Sequence, residues 1–92
     1  MQEYYDYEMQ KEYLRTALAS IVKKRRLKCK KSISLISNEI GMTKSMWGDL
    51  ERAIKDPQLS TLWRVAEALE IPLSTLIIEL ENTLGKDFSL ID

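Results

Sequence analysis

The sequence predicts an all-α fold, a five-helix bundle around one core, and three observations carry that prediction. Apolar residues recur at helical spacing in five separate stretches. No stretch reads convincingly as a strand. Hydroxyl residues, prolines and glycines stand at the joints between the stretches, where helix caps and connectors need them.

A first helix is expected from Tyr13 to Lys28, because Leu14, Ala17, Leu18, Ile21 and Val22 fall at i, i+3, i+4, i+7 and i+8 and form one apolar stripe. Its basic end complements the helix dipole. Ser32 is placed to cap a second helix running to Ile40, with Ile36 and Ile40 buried, and Thr43 to cap a third that ends near Arg52. Between them Gly41 permits the positive φ that ends one helix and opens a tight turn. Ser60 is expected to cap the fourth helix, with Leu62, Val65, Ala66 and Leu69 inward, and Ser74 the fifth, which stops near Gly85. Pro57 and Pro72 lie in the connectors, where a missing N–H costs little. Residues 1–12, acidic and rich in tyrosine, read as a flexible arm; 13–85 form the domain; 86–92 form a C-terminal tail.

Composition narrows the function. A chain of 92 residues makes one domain. It is 45% hydrophobic and 30% charged, and holds no apolar run near the roughly 18 residues that a membrane span requires. The acidic N-terminus is unlike a secretory signal. A single cysteine, Cys29, makes no internal disulfide and suits a reducing compartment, so a cytoplasmic location is expected. Histidine is absent, which removes the commonest general base and most zinc-site arrangements. With no grouping of nucleophile, base and oxyanion donors, an enzyme is a distant reading, and neither metal nor cofactor is expected.

The formal net charge is zero, yet the charges are segregated. From Leu14 to Lys31 there are eight basic residues (Arg15, Lys23, Lys24, Arg25, Arg26, Lys28, Lys30, Lys31) and no acidic one. From Ser32 onward ten acids face five bases. A basic stripe on a neutral protein is an electrostatic footprint for phosphate, and its plainer reading is a solvated helix face.

The stretch from Val22 to Leu76 resembles the phage-repressor and Cro-type helix-turn-helix domains, the xenobiotic-response-element-like regulators. Ser32, Ile36, Ser37, Ile40 and Gly41 match the family's Ser-x-x-x-Leu-Ala-x-x-Leu-Gly, and Leu50-Glu51 match its Ile-Glu. Pro57, Leu62, Val65-Ala66, Leu69, Ile71 and Leu76 continue the match without a gap. The resemblance implies a lambda-repressor-like bundle with the helix-turn-helix at helices two and three. It implies a transcriptional regulator, expected to act as a repressor, that binds double-stranded DNA with helix 43–52 in the major groove. It also implies that Ser37 is small where helices two and three cross, that Met42 plugs their elbow, and that Arg26 and Glu51 form a structural ion pair.

At 100° per residue from Thr43, Met46, Trp47 and Leu50 fall on one side of helix three, while Lys44, Ser45, Gly48 and Asp49 fall on the other. Trp47 is therefore expected in the core. By the resemblance, the second set faces base edges: Lys44 is suited to guanine O6/N7 and Asp49 to cytosine N4, while Gly48 offers no side chain. Phosphate contacts are expected from Lys30, Lys31, Ser32 and Thr43, around the exposed N–H groups at the start of helix two, and by the resemblance from Lys55, which falls where the family often keeps a basic residue.

Three departures from the family stand out. Ile33 replaces a phosphate-gripping glutamine, Lys30-Lys31 replace Gly-Leu, and Ala53 replaces the glycine that ends helix three. They suit either a grip moved from an amide to ammonium groups or a domain that kept the fold and changed partner. In the second reading the chain is a protein-interaction module, an antitoxin or adaptor, with Tyr4, Tyr5, Tyr7 and Tyr13 toward a protein partner. Helix five carries Leu73, Leu76, Ile77, Ile78, Leu80 and Leu84, more apolar surface than one inward stripe uses. A homodimer through Leu73, Ile77, Leu80 and Leu84 is expected.

Overall fold

A computed structural model describes residues 6–91, which form five helices: α1 (Tyr7–Lys28), α2 (Ile33–Glu39), α3 (Lys44–Glu51), α4 (Leu59–Ala68) and α5 (Leu73–Leu84). Helix α1 packs against α3 and α5, α2 lies across α3 and touches α4, and α4 leans on α5. Val22, Ile36, Trp47, Val65 and Leu76 are wholly buried where these helices converge. One residue from each helix thus meets at the centre, and each comes from the apolar stripe of its own helix. None of the helices is long and apolar enough to cross a membrane.

Helix α1 begins six residues before the start that its apolar stripe suggests. Asp6 caps it, its carboxylate accepting from the Met9 N–H at 3.2 Å. The added turns carry Glu8, Gln10, Lys11 and Glu12, good helix formers with no apolar stripe to reveal them. The expected arm is therefore helical from Tyr7, and Tyr4 and Tyr5 lie outside the described residues. Tyr7 lies beneath the Lys11 ammonium, 5.3 Å from its ring centre, and Tyr13 meets Phe88 of the C-terminal segment edge to face at 6.0 Å.

Ser32 and Thr43 cap α2 and α3, accepting from Leu35 N and Met46 N at 3.1 Å each. Ser60 and Ser74 do not cap α4 and α5, contrary to expectation. The caps are Gln58 and Pro72, neither with a side-chain bond, and both serines fall at the second helical position. Pro72 itself stands at the cap of α5 (φ −62, ψ 147), where its missing N–H leaves no helical bond unmade, and Gln58 stands at the cap of α4 just after Pro57.

Three helices end in the same way. At α2, Gly41 N bonds Asn38 O and Met42 N bonds Ser37 O; at α3, Ala53 N bonds Leu50 O and Ile54 N bonds Asp49 O; at α4, Glu70 N bonds Glu67 O and Ile71 N bonds Ala66 O. This paired pattern needs a left-handed residue after the helix. Gly41 supplies it without strain at φ 65, whereas Ala53 (φ 59) and Glu70 (φ 62) hold it with a Cβ. Lys30, at φ 57, does the same after α1, in the place where the family commonly has glycine.

Candidate nucleic-acid interface

The turn between α2 and α3 sets the angle of the second helix. Ser37 is buried in the crossing, its hydroxyl turned back to donate to Ile33 O at 2.6 Å, so nothing larger than a hydroxymethyl separates the helices. Met42 is buried in the elbow. From α4, the Arg64 guanidinium donates to the Ile40 carbonyl, meeting the negative end of the α2 dipole.

On the inner side of α3, Trp47 is fully buried and its indole N–H donates to Glu51 Oε2 at 2.6 Å. Glu51 also accepts from Arg26 Nε at 2.6 Å and from Nη2 at 2.9 Å, and Arg26 Nη1 donates to Lys31 O at 2.8 Å. The hydrogen bond to Glu51 raises the Arg26 pKa above its ordinary value; burial opposes the rise and the charge of Glu51 adds to it. Helix α3 is thereby fixed to α1 from beneath, with its other face left outward.

That outward face differs from the helical count in two places. Met46, counted inward, is 46% exposed, and Gly48, counted outward, is buried. The cause of the second is Arg52: a Cβ on Gly48 would lie 3.0 Å from Arg52 Nη1. Lys44 and Ser45 are exposed as counted. Asp49 accepts from Arg52 Nη2 at 2.7 Å and lies 3.9 Å from Lys55 Nζ, so its carboxylate is engaged along the protein surface. Arg52 is absent from the set that the sequence turns toward DNA; its spacing, four after Gly48 and three after Asp49, is the signal that could have found it.

The basic stretch divides on folding. Arg15 pairs with Asp56 at 3.3 Å, Arg25 with Glu79, Arg26 with Glu51, and Lys31 with Glu39 at 2.8 Å. The bond to Glu39 raises the Lys31 pKa. Among the described residues, Lys23, Lys24, Lys28 and Lys30 are exposed and make no ion pair. Lys30 adjoins the N-terminus of α2, and Lys55 stands free but for its loose approach to Asp49. Ser32 and Thr43 use their hydroxyl oxygens as acceptors in capping, so each O–H proton remains available to a phosphate oxygen.

The apolar surplus of α5 is half-buried and borders two hollows. Leu80 and Leu84 line a hollow together with Leu14, Phe88 and Leu90. Leu73 and Ile77 instead border a groove with Ile71, Pro72 and Trp63 of α4. Trp63 is 57% exposed, and Ile78 is likewise exposed.

Two short helices crossing over a buried small residue, joined by a left-handed glycine and anchored by a buried charge pair, define a helix-turn-helix domain. The chain belongs to the HTH_3 helix-turn-helix family, whose model matches residues 22–76. It is 35% identical over 66 residues to the HTH-type transcriptional regulator SutR of Escherichia coli, across 72% of this chain and 37% of SutR. It is also similar to the crystal structure of an HTH_3 family transcriptional regulator from Vibrio cholerae, with a TM-score of 0.68 and 26% identity over 74% of this chain and 38% of that one. The chain thus spans less than two fifths of the length of either relative.

Proposed function

We propose that this chain binds duplex DNA as a transcriptional regulator of the repressor type, with α3 entering the major groove. The observation that carries the reading is the mounting of α3. Its inner face is locked by Trp47, Glu51 and Arg26, while Lys44, Ser45 and Met46 stand exposed beside the hydroxyl-bearing starts of both α2 and α3. Lys30, Ser32, Thr43 and Lys55 are assigned to phosphates. Lys44 and Ser45 are assigned to base edges.

We further propose that two copies act together, since two-fold regulators of this type place their half-sites about 34 Å apart, one turn of the duplex. The groove bordered by Trp63, Leu73 and Ile77 supports the α4–α5 side as the contact, with Leu80 and Leu84 on a neighbouring hollow of the same helix.

The test is titration of a labelled mixed-sequence duplex by fluorescence anisotropy at rising salt. Lys30 and Lys55 neutralise two phosphates per copy and the hydroxyls release no counterion, so log affinity should fall against log salt with a slope of about −2 per copy. Binding indifferent to salt, or no binding at low salt, overturns the reading.

A further inference from the structure

Resting on the DNA-binding reading above, we propose that Arg52 reads a guanine in the major groove, with Gly48 as its seat and Asp49 as its brace. The side chains of a helix lean toward its N-terminus, so a residue four positions after Gly48 lies back over it. A Cβ at Gly48 would meet Arg52 Nη1 at 3.0 Å and Cζ and Nη2 at 3.5 Å each, so the guanidinium occupies the space that the missing side chain vacates. The group therefore lies over Gly48 and beside Asp49, exposed on α3.

Asp49 holds it there through one bond, Nη2 to Oδ1 at 2.7 Å. Of the five guanidinium N–H groups, four remain, including those on Nε and Nη1, and the side chain is 61% exposed. Two adjacent free N–H groups form the fork that matches guanine O6 and N7, the commonest specific contact in the major groove. Because Asp49 and Gly48 fix the fork in advance, less side-chain freedom is lost on binding. The arrangement also assigns Asp49 a positioning role instead of cytosine recognition. Its single carboxylate lies between two cations, Arg52 and Lys55 at 3.9 Å, so the cluster keeps a net positive charge toward DNA.

The experiment selects binding sites for the full chain from a randomised duplex pool, then measures affinity for the selected site and its single-base variants. The unaltered chain should select guanine at one position of the site and discriminate against the other bases there by on the order of 10- to 100-fold. Arg52→Ala should reduce that ratio to near one, with a smaller loss on random DNA. Arg52→Lys should lose most of it too, since an ammonium makes no fork. Asp49→Asn adds positive charge, so it should bind random DNA at least as tightly while discriminating less; an electrostatic role alone would move both in one direction. Gly48→Ala, which favours the helix and displaces only the flexible end of Arg52, should also discriminate less. Equal loss on every sequence in Arg52→Ala marks a phosphate contact and overturns the inference, as does unchanged discrimination. Failure of the unaltered chain to bind any DNA overturns the DNA-binding reading with it.

Discussion

Arg26 of α1 and Glu51 at the end of α3 meet through two parallel hydrogen bonds, 2.6 and 2.9 Å long, with their side chains only 9% and 6% exposed. The bidentate geometry makes this a strong form of charge pairing. The Trp47 indole shares the same carboxylate, so one side chain serves a charge and a core aromatic together. Glu51→Ala leaves a buried guanidinium and an indole N–H without their acceptor. The expected cost is about 3 kcal/mol or more, which lowers the melting temperature of a domain this size by more than about 10 °C. Thermal unfolding followed by circular dichroism measures it, and a loss under about 1 kcal/mol would mark the pair as no more than a surface contact.

Ala53 tests the backbone instead of the side chains. It holds φ 59 in a position that glycine occupies freely, and its amide and that of Ile54 complete the end of α3. Ala53→Gly removes a clash between Cβ and the backbone, against which stands the greater chain entropy of glycine when unfolded. The expected balance is a gain of up to about 1 kcal/mol, several degrees in melting temperature. Ala53→Val, with a branched Cβ, should fall on the opposite side of the unaltered protein.

Much of this fold is legible in the sequence because its signals are local. Ser32 and Thr43 announce caps by residue type, Gly41 announces the turn, and the stripes of Val22, Ile36 and Val65 announce the core. The start of α1 is less legible, since its first turns rest on a capping Asp6 and on propensity instead of an apolar period. The face of α3 is misread at Met46 and Gly48 because a helical count fixes directions and says nothing of which long side chain folds over a neighbour. The fate of the basic stretch is hidden for a related reason: Asp56, Glu79 and Glu51 reach it from elements remote in sequence.

The two tryptophans report separately on assembly. Trp47 is fully buried, whereas Trp63 is 57% exposed at the groove bordered by Leu73 and Ile77. If two copies join there, the emission of Trp63 should shift to the red as the protein is diluted and the dimer parts. Trp63→Phe should abolish the shift and leave the Trp47 signal constant, and Ile77→Glu should sediment as a monomer at tens of micromolar. An Ile77→Glu protein that sediments as a dimer places the contact elsewhere, and an unaltered protein that sediments as a monomer overturns the pairing.

Lys30, Lys31 and Lys44 separate grip from reading. Lys30 is exposed, makes no ion pair among the described residues, and adjoins the start of α2. Lys30→Ala keeps the left-handed backbone under a Cβ and removes only charge, so it should weaken binding to all sequences alike. Its salt slope should become less steep by about 0.9, the share of a single neutralised phosphate. Lys31 is already tied to Glu39 at 2.8 Å. Lys31→Ala therefore exposes an unpaired carboxylate to the phosphates, and adding Glu39→Gln should restore affinity with the original slope. Lys44→Ala should instead cost about 1 to 3 kcal/mol on a selected site and little on random DNA. Anisotropy titrations at several salt concentrations, on one selected and one random duplex, measure all of these. Uniform loss in Lys44→Ala would make Lys44 a phosphate contact, and a slope that Glu39→Gln does not restore would give Lys31 a phosphate of its own.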